Sequence, residues 1–382
     1  MGIALVLGFV GFVTSFGAHV VAVNLPFYAE SVGVGVAVIG VLIAAYDLAE
    51  VVAKPVFGAI ADRQGMKRTM LAGIAIFTLA SLAYLVVPPQ LLIVIRFLQG
   101  LGAAALSAVS LALVGTYFTR DRGRAYGLYN AMKGAGYVLS PIVGGAIVLQ
   151  ADFAAIFPVT AAIGVLAFVL SAALPQPERE GDLDDDDDFS WSSFTAVFRE
   201  PTLLPWYLVI VANMFLVGIL FGFLPVRIYE LRLDPFASGL FLSLVAASYL
   251  LVQPLAGALA DRVAPSITVR IGLMLGASSV VLAPFVEGLA LGIVSVLAGI
   301  GVGTVWTNTD MLVSRLARRG RLGATMGAAG SFKELGDMIG PVAIGVLSQA
   351  FGLTTGFVVC GLIGLLSLTL VRGRSAALAA ET

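Results

Sequence analysis

The stretch Gly58-Ala59-Ile60-Ala61-Asp62-Arg63-Gln64-Gly65-Met66-Lys67-Arg68 decides the fold, because it is a charged turn between two long apolar runs. The runs, Val36–Ala61 and Thr69–Val87, are each long enough to cross a bilayer as a helix, which needs about 20 apolar residues. Basic residues in short loops stay on the cytoplasmic side of a membrane, so the three basic residues of this turn predict that it faces the cytoplasm.

The same turn occurs a second time as Gly257-Ala258-Leu259-Ala260-Asp261-Arg262, 199 residues further along the chain (257 − 58 = 199). The offset recurs in other segments. It relates Pro26 to Pro225, Gly100 to Gly299 and Gly102 to Gly301, and an offset of 200 relates Lys133 to Lys333 and Pro141 to Pro341. One register that fits several segments is difficult to obtain by chance, so we interpret the chain as two copies of one half.

The composition is that of an integral membrane protein. Of the 382 residues, 59% are hydrophobic and 12% are charged, and the mean hydropathy is +1.01. Soluble domains carry about 25% charged residues. The net charge of −1 argues against a nucleic-acid partner, and the single cysteine, Cys360, excludes an internal disulfide and a cysteine metal cluster. The sequence contains no nucleophile–base pair or cofactor motif, so we expect neither an enzyme nor a bound metal or cofactor.

Apolar runs separated by short polar turns predict twelve transmembrane helices. They are Ile3–Tyr28, Val36–Ala61, Thr69–Val87, Leu91–Phe118, Arg124–Leu149 and Phe153–Leu174, then Leu203–Ile228, Ala237–Ala260, Ile267–Val286, Leu289–Leu316, Leu322–Ala350 and Thr354–Val371. The bilayer interior tolerates only helices or closed barrels, and the alternating strands of a barrel do not occur in the sequence. We therefore predict an all-α membrane protein of two pseudo-symmetric six-helix bundles, residues 1–174 and 202–382, joined by a linker at residues 175–201.

The charge of the turns predicts the orientation of the chain. Every second turn is basic, and these turns contain Arg63, Lys67, Arg68, Arg120, Arg122, Arg124, Arg262, Arg270, Arg315, Arg318, Arg319, Arg321, Arg372 and Arg374. Both termini and the linker are thus predicted to be cytoplasmic, in a multi-pass protein of the cytoplasmic (inner) membrane. The linker carries an acidic run, Asp184–Asp188, and is interpreted as a flexible tether; for the alternative, calcium binding, no glycine follows at the required spacing.

Two six-helix halves, a central linker and the repeated Gly-Ala-x-Ala-Asp-Arg turn resemble the major facilitator superfamily. The resemblance covers almost the whole chain and implies two bundles about an axis normal to the membrane, with the substrate site between them and transport by alternating access. Three family motifs can be placed in this sequence. The first turn matches at Gly58, Asp62, Arg63, Gly65 and Lys67, and it has Met66 where a basic residue is common. The second motif lies in the fourth helix, at Arg96, Gln99, Gly100 and Gly102, and the third lies in the fifth helix, at Gly136, Pro141, Gly144 and Gly145. In the family the third motif marks efflux antiporters; Ser140-Pro141 replaces the usual Gly-Pro, and serine is also small enough for close helix packing.

The second helix carries Asp47, Glu50 and Lys54 on one stripe, because offsets of three and seven residues at about 100° per residue keep them within about 60° of one another. A single charge in mid-membrane costs about 2.5–3.5 kcal/mol, so the stripe must face protein or water. Asp47 and Glu50 are therefore candidates for proton coupling, and Lys54 for tuning their charge. The alternative is a structural ion cluster that joins helices.

The eleventh helix carries a similar set. Lys333 and Asp337 lie four residues apart, which is a pairing distance on a helix, and Glu334 lies to the side. Glu334 and Asp337 are therefore further candidates for proton coupling, and Lys333 is a candidate for substrate binding or charge tuning. Its repeat partner Lys133 has no acid nearby in the sequence, so we expect Lys133 to reach another helix.

In the tenth helix, Asp310 shares a face with Trp306, four residues earlier. The resemblance implies that this helix lines the substrate cavity, where an acid beside a large aromatic ring suits a cationic, apolar substrate. Asp310 is therefore a proton-coupling candidate, and Trp306 and Asn308 are substrate candidates. The alternative is a helix-end acid paired with Arg315 or Arg318.

Arg96 and Gln99 form the intramembrane basic site of the first half. The resemblance connects this motif with proton transfer; physically, an arginine stays charged and tunes a neighbouring acid or binds an anion, and the alternative is a structural pairing. His19 is the only histidine and titrates nearest physiological pH, but a lone histidine is more often an interhelical hydrogen-bond donor. Weaker candidates are Asn24, Trp206, Asn213 and Gln253.

Asp62 and Arg63, with their repeat partners Asp261 and Arg262, are predicted to form a cytoplasmic latch. A carboxylate at the turn can satisfy unpaired backbone N–H groups at the start of another helix, and the pseudo-symmetry places that start near Leu322. The latch would stabilise the outward-open state and break when the inner side opens.

These features together predict a secondary active transporter, specifically a proton-coupled efflux antiporter for a small amphipathic molecule. The expected partners are the substrate, protons and the lipid bilayer, and we expect a monomer. The alternatives are a proton symporter for an organic anion or sugar, a lipid flippase and, from another class, a transport-inactive receptor or assembly factor built on this fold.

Overall fold

The computed structural model describes residues 2–32, 35–118, 122–176, 200–260, 264–316 and 322–371, and these residues form helices and turns with no strand. The helices are α1 (Gly2–Val32), α2 (Val36–Gln64), α3 (Met66–Ala83), α4 (Leu92–Tyr117), α5 (Arg122–Gln150), α6 (Ile156–Ala172), α7 (Leu204–Glu230), α8 (Pro235–Ala260), α9 (Pro265–Leu282), α10 (Gly288–Leu316), α11 (Leu322–Phe351), α12 (Leu353–Leu366) and the short α13 (Leu368–Val371). The predicted all-α class is confirmed.

Among the described residues, ten of the twelve long helices are long and apolar enough to cross a membrane. The two described helices outside this set are α2 and α11, which carry the charged residues Asp47, Glu50 and Lys54, and Lys333, Glu334 and Asp337. The predicted twelfth span, Thr354–Val371, is divided at Ser367 into α12 and α13. The helices that lack the composition of an ordinary membrane span are therefore those that carry most of the proton-coupling candidates.

Glycines at equivalent positions of the repeat make the same helix crossing in both halves. A β-carbon at Gly136 of α5 would lie 2.8 Å from the carbonyl oxygen of Phe12 in α1, and one at Gly336 of α11 would lie 2.4 Å from the carbonyl oxygen of Val211 in α7. Phe12 and Val211 are themselves 199 residues apart (211 − 12). Two further crossings repeat in the same way. A β-carbon at Gly100 of α4 would meet Tyr46 of α2, as one at Gly299 of α10 would meet Val245 of α8. A β-carbon at Gly102 of α4 would meet Phe77 of α3, as one at Gly301 of α10 would meet Gly276 of α9.

These crossings show that the sequence repeat is also a repeat of packing. A side chain at any of these glycines would collide with the backbone of the neighbouring helix, and close approach of helices is how membrane proteins gain van der Waals contact without a hydrophobic driving force. The predicted pseudo-symmetry of the two halves is confirmed at the level of atoms.

By internal packing, the described residues fall into two compact units. The first contains residues of Met1–Arg179 and Leu224–Ser243, and the second contains residues of Glu180–Phe223 and Leu244–Thr382. The end of α7 and the start of α8 therefore pack with the first unit. The predicted division at residues 174 and 202 stays a prediction, and residues 177–199 of the predicted linker lie outside the described residues.

Candidate functional site

The first unit holds a buried acidic cluster on α2. Asp47 and Glu50 are 7% and 8% exposed. The Nζ atom of Lys54 lies 3.5 Å from Glu50 Oε1, as the spacing of four residues predicts, and the Ser107 hydroxyl on α4 donates to the same oxygen at 3.4 Å. Glu50 thus contacts a lysine of its own helix and a hydroxyl group of α4.

A tyrosine on α5 extends this polar region. The hydroxyl groups of Tyr129 and Ser110 lie 3.0 Å apart in the protein interior, in the neighbourhood of Lys54 and Glu50. Gly11 of α1 makes room for the ring, since a β-carbon there would lie 3.0 Å from it. Polar groups of α2, α4 and α5 therefore share one region of the first unit.

Arg96 forms a second buried site in the same unit. It is 2% exposed, donates to Gln99 Oε1 at 2.8 Å and to the Ala18 carbonyl oxygen at 3.0 Å, and places its guanidinium 4.5 Å from the centre of the Tyr46 ring. Gln99 in turn donates to Ser81 at 3.1 Å. Among the described residues no carboxylate pairs with Arg96, so its positive charge is held by neutral acceptors and a π face.

The second unit holds an ion pair between two helices. Lys333 Nζ of α11 lies 2.7 Å from Asp310 Oδ2 of α10, and it also lies 4.4 Å from the centre of the Trp306 ring. The ring of Tyr249 on α8 meets Trp306 edge-on, with centroids 5.4 Å apart. The side chains of Lys333 and Asp310 keep 17% and 28% of their surface exposed. An acid, a base and two aromatic rings from three helices thus form one partly accessible cluster.

This cluster corrects one sequence prediction. The lysine was expected to pair with Asp337 on its own helix, but in the described part of the chain Lys333 pairs with Asp310. Among the described residues Asp310 pairs with Lys333 and not with the alternative partner Arg315, and the other alternative, Arg318, lies outside the described residues. A spacing of four residues permits a pair on one helix, whereas Asp310 offers Lys333 a contact at 2.7 Å together with the Trp306 face.

The structure gives burial and helix contacts for the remaining intramembrane candidates. Asn308 is fully buried, accepts from the Thr268 hydroxyl of α9 at 2.9 Å and donates to the Thr304 carbonyl of its own helix, so it joins α9 to α10. Glu334, Asp337 and Lys133 are half-buried. A β-carbon at Gly218 would lie 2.6 Å from the Asp337 carbonyl oxygen, so α7 and α11 approach closely there.

The first charged turn is described in part. Gly65 separates α2 from α3 at a φ of 100°, a conformation that favours glycine, and Gly58 is half-buried in α2. Lys67 Nζ donates to the carbonyl oxygens of Ala172 and Leu174 at the end of α6, where a cation opposes the negative end of the helix dipole. The side chains of Asp62 and Arg63, and the residues Asp261 and Arg262, lie outside the described residues, so the latch stays a prediction.

The glycines of the fifth-helix motif face two different helices within the first unit. Gly136 and Gly144 face α1, whereas a β-carbon at Gly145 would lie 2.2 Å from the Pro235 carbonyl oxygen at the start of α8. The contact is reciprocal, because a β-carbon at Gly239 would lie 2.2 Å from the Pro141 carbonyl oxygen. The motif therefore places α5 between α1 and α8.

The weaker candidates are mostly engaged in helix contacts. The His19 ring packs on Tyr137 with centroids 4.4 Å apart, and its Nδ1 lies 2.9 Å from the Ser15 carbonyl oxygen. Asn24 donates to Val20 within α1, and Asn213 donates to the Val302 carbonyl at 3.1 Å. Trp206 is buried, and Gln253 is half-buried.

Sequence reasoning missed four residues that complete these clusters: Tyr46, Ser107, Tyr129 and Tyr249. Two signals in the sequence point to three of these residues. Tyr46 directly precedes Asp47, and the repeat offset relates Glu50 to Tyr249 and Ser107 to Trp306 (249 − 50 and 306 − 107 are both 199).

Comparisons with known proteins give relatives and a fold. Over 163 residues, 42% of its length, the chain is 35% identical to the multidrug resistance protein Stp of Mycobacterium tuberculosis, and the match spans only 30% of that protein. Over 367 residues, 92% of its length, it is 23% identical to the multidrug resistance protein MdtG of Serratia proteamaculans, across 88% of that protein. The crystal structure of a D-xylose–proton symporter superposes with a TM-score of 0.79 at 14% identity, covering 97% of both chains.

A family profile accounts for nearly the whole sequence. It matches two overlapping segments, residues 7–246 and 209–380, which together contain both charged turns and all the clusters described above. With the twelve long helices of the described residues and the duplicated packing, this match establishes that the chain belongs to the Major Facilitator Superfamily and is a multi-pass membrane protein.

Proposed function

We propose that this transporter is a proton-coupled efflux antiporter that exchanges a small amphipathic molecule for protons by alternating access. It would act as a monomer in the cytoplasmic membrane, with both termini in the cytoplasm. The names of the relatives Stp and MdtG, both multidrug resistance proteins, support efflux of such molecules.

The observation that carries the proposal is the Asp310–Lys333 ion pair beneath Trp306. A charge inside a membrane helix costs about 2.5–3.5 kcal/mol, and ionisable residues retained there commonly mark substrate or proton pathways. Asp310 can be neutralised by the lysine, by a proton or by a positively charged substrate. Because these occupants compete for one carboxylate, binding of the proton releases the substrate, which is the exchange that an antiporter needs.

The buried cluster on α2 would have a different role in this mechanism. Glu50 is bound by Lys54 and Ser107, and Arg96 supplies a positive charge with no acid partner among the described residues. Fixed charges of this kind tune the protonation of carboxylates near them. We assign the exchange step to the second unit and the tuning of charge to the first.

Proteoliposomes with an acidic lumen test the direction of coupling. On addition of tetraphenylphosphonium outside, antiport should alkalinise the lumen, because protons leave as the cation enters. Acidification of the lumen would instead indicate symport of the cation with protons. Cation entry with no change in lumenal pH would contradict proton coupling of either kind.

A further inference from the structure

The second unit contains a site whose parts are those of an organic-cation receptor. Asp310 supplies a carboxylate oxygen, Trp306 supplies a π face, and the Tyr249 ring supports Trp306 edge-on. A carboxylate next to a large aromatic face recognises positively charged groups that carry apolar substituents. The other Asp310 oxygen, Oδ1, is buried and has no hydrogen-bond partner among the described residues.

In the structure this site is filled by the chain itself. The Lys333 ammonium group lies 2.7 Å from Asp310 Oδ2 and 4.4 Å from the centre of the Trp306 ring, so it makes both contacts that a bound cation would make. Lys333 comes from α11, whereas Asp310 and Trp306 belong to α10. The lysine can therefore leave by rotation about its own flexible side chain, without a change in the helix that carries the site.

We propose that Lys333 is a tethered competitor: it occupies an organic-cation site formed by Asp310, Trp306 and Tyr249, and the transported substrate is a lipophilic cation that displaces it. This inference rests on the proposed function for the role of Asp310 in substrate exchange. The lysine neutralises the carboxylate while no substrate is bound. A substrate must therefore bind Asp310 and Trp306 more favourably than the lysine does in order to displace it.

The arginine site of the first unit shows why the second is exchangeable. Arg96 also lies against an aromatic ring, Tyr46, but it is 2% exposed and its acceptors are neutral groups. The Lys333 and Asp310 side chains are 17% and 28% exposed, and their contact is a charge pair. A cation can reach and exchange at the second site, whereas the first is sealed around its own arginine.

Equilibrium binding in detergent tests the inference with two probes of the same size and opposite charge, tetraphenylphosphonium and tetraphenylborate. The Lys333→Met variant should bind tetraphenylphosphonium about tenfold more tightly than the wild type, because a competitor has been removed. Its affinity for tetraphenylborate should not rise. Asp310→Asn should lose tetraphenylphosphonium binding, and Arg227→Met, which removes a cation from an ion pair at the end of α7, should bind it like the wild type.

A measurement on the wild-type protein covers the case in which Lys333→Met fails to fold. Saturating tetraphenylphosphonium should raise the acetylation rate of the Lys333 amine severalfold, read by mass spectrometry against Lys67 as internal reference, whereas tetraphenylborate should not. Unchanged or weaker tetraphenylphosphonium binding by folded Lys333→Met, or labelling of Lys333 that does not respond to the cation, would overturn the inference.

The two proposals fail separately. Tighter cation binding by Lys333→Met without any proton movement in proteoliposomes would support the cation site and contradict the proton-coupled mechanism. Proton exchange in proteoliposomes, together with unchanged cation binding by Lys333→Met, would support the proton-coupled mechanism and contradict the role of Lys333 as a competitor.

Discussion

Two pairs of side chains at equivalent positions of the repeat differ completely in character. In the first unit, the Ser107 hydroxyl lies 3.4 Å from the Glu50 carboxylate. In the second, 199 residues later, Trp306 meets Tyr249 ring to ring with centroids 5.4 Å apart. The glycine crossings beside these pairs are the same in both units, as Gly100 on Tyr46 and Gly299 on Val245 show. The duplication therefore kept the backbone scaffold and changed what the scaffold holds.

The lysine–carboxylate pairs show the same divergence. Glu50 and Lys54 belong to one helix, so their pair moves with α2 as a single piece. Asp310 and Lys333 belong to α10 and α11, so their pair can be broken by a competing ligand or by relative motion of the helices. We infer that the first pair is a permanent part of its unit and the second is exchangeable, and the following variants test that difference.

The largest effect is expected from Asp310→Asn. It leaves Lys333 without its partner and removes the acceptor for a cation, and loss of one member of such a charge pair typically costs about 2–5 kcal/mol, so transport of tetraphenylphosphonium should fall by roughly 100-fold. Initial rates in proteoliposomes measure this. The matched control is Asp234→Asn, since Asp234 caps α8 through the Ala237 N–H and asparagine caps equally well. Wild-type transport by Asp310→Asn would contradict the assignment.

Substitution of the equivalent glycines tests whether the two scaffolds are the same. In Gly100→Val or Gly299→Val the new side chain would collide with the backbone of Tyr46 or Val245, and overpacking of this kind costs about 1–3 kcal/mol. Both variants should lower the unfolding temperature in detergent by similar amounts. Gly127→Val is the control, because no atom of the described residues lies within 4 Å of a β-carbon there. Loss of stability in only one of the two variants would show that the packing is not repeated.

Trp306→Ser places in the second unit the residue that the first unit has at the equivalent position. Removal of the π face should weaken tetraphenylphosphonium binding about tenfold, because a partly desolvated cation–π contact contributes on the order of 1–2 kcal/mol. Tyr249→Phe keeps the supporting ring and should bind within about twofold of the wild type. Unchanged binding by Trp306→Ser would mean that the aromatic pair does not contact the cation.

The smallest effect is expected at the ends of α6 and α13. Lys67 binds carbonyl oxygens at the end of α6, and Arg270 donates to the Val371 carbonyl at 3.1 Å in the second unit. Lys67→Met and Arg270→Met should each lower stability by at most about 1 kcal/mol. Transport rates at a temperature where both variants are folded separate this anchoring role from the latch. A transport defect in Lys67→Met without any loss of stability would favour the latch.

Local patterns in the sequence predicted the helices, the repeat and the common stripe of Asp47, Glu50 and Lys54, because all three depend on hydropathy or on spacing along one chain segment. The partner of Lys333 could not be predicted in this way. A spacing of four residues pointed to Asp337, but the choice of Asp310 depends on which helices are neighbours, and that is decided by glycine crossings distributed over the whole chain. The same limit applies to Tyr129 and Ser110, whose contact joins α4 to α5.

Comparison of the two copies would have revealed more than either copy alone. The offset that aligns Gly100 with Gly299 also aligns Glu50 with Tyr249 and Ser107 with Trp306, which marks this position as the place where the halves diverge. Alignment of the two halves of the sequence therefore reveals where their chemistry differs, whereas a search for motifs does not.

The most direct test of the account is proton release from the detergent-solubilised transporter when tetraphenylphosphonium binds, followed from acidic to alkaline pH. The account predicts that the wild type and Glu50→Gln release a proton as the cation binds at acidic pH, and that Asp310→Asn releases none. Cation binding without proton release at any pH, or release that survives Asp310→Asn, would contradict it.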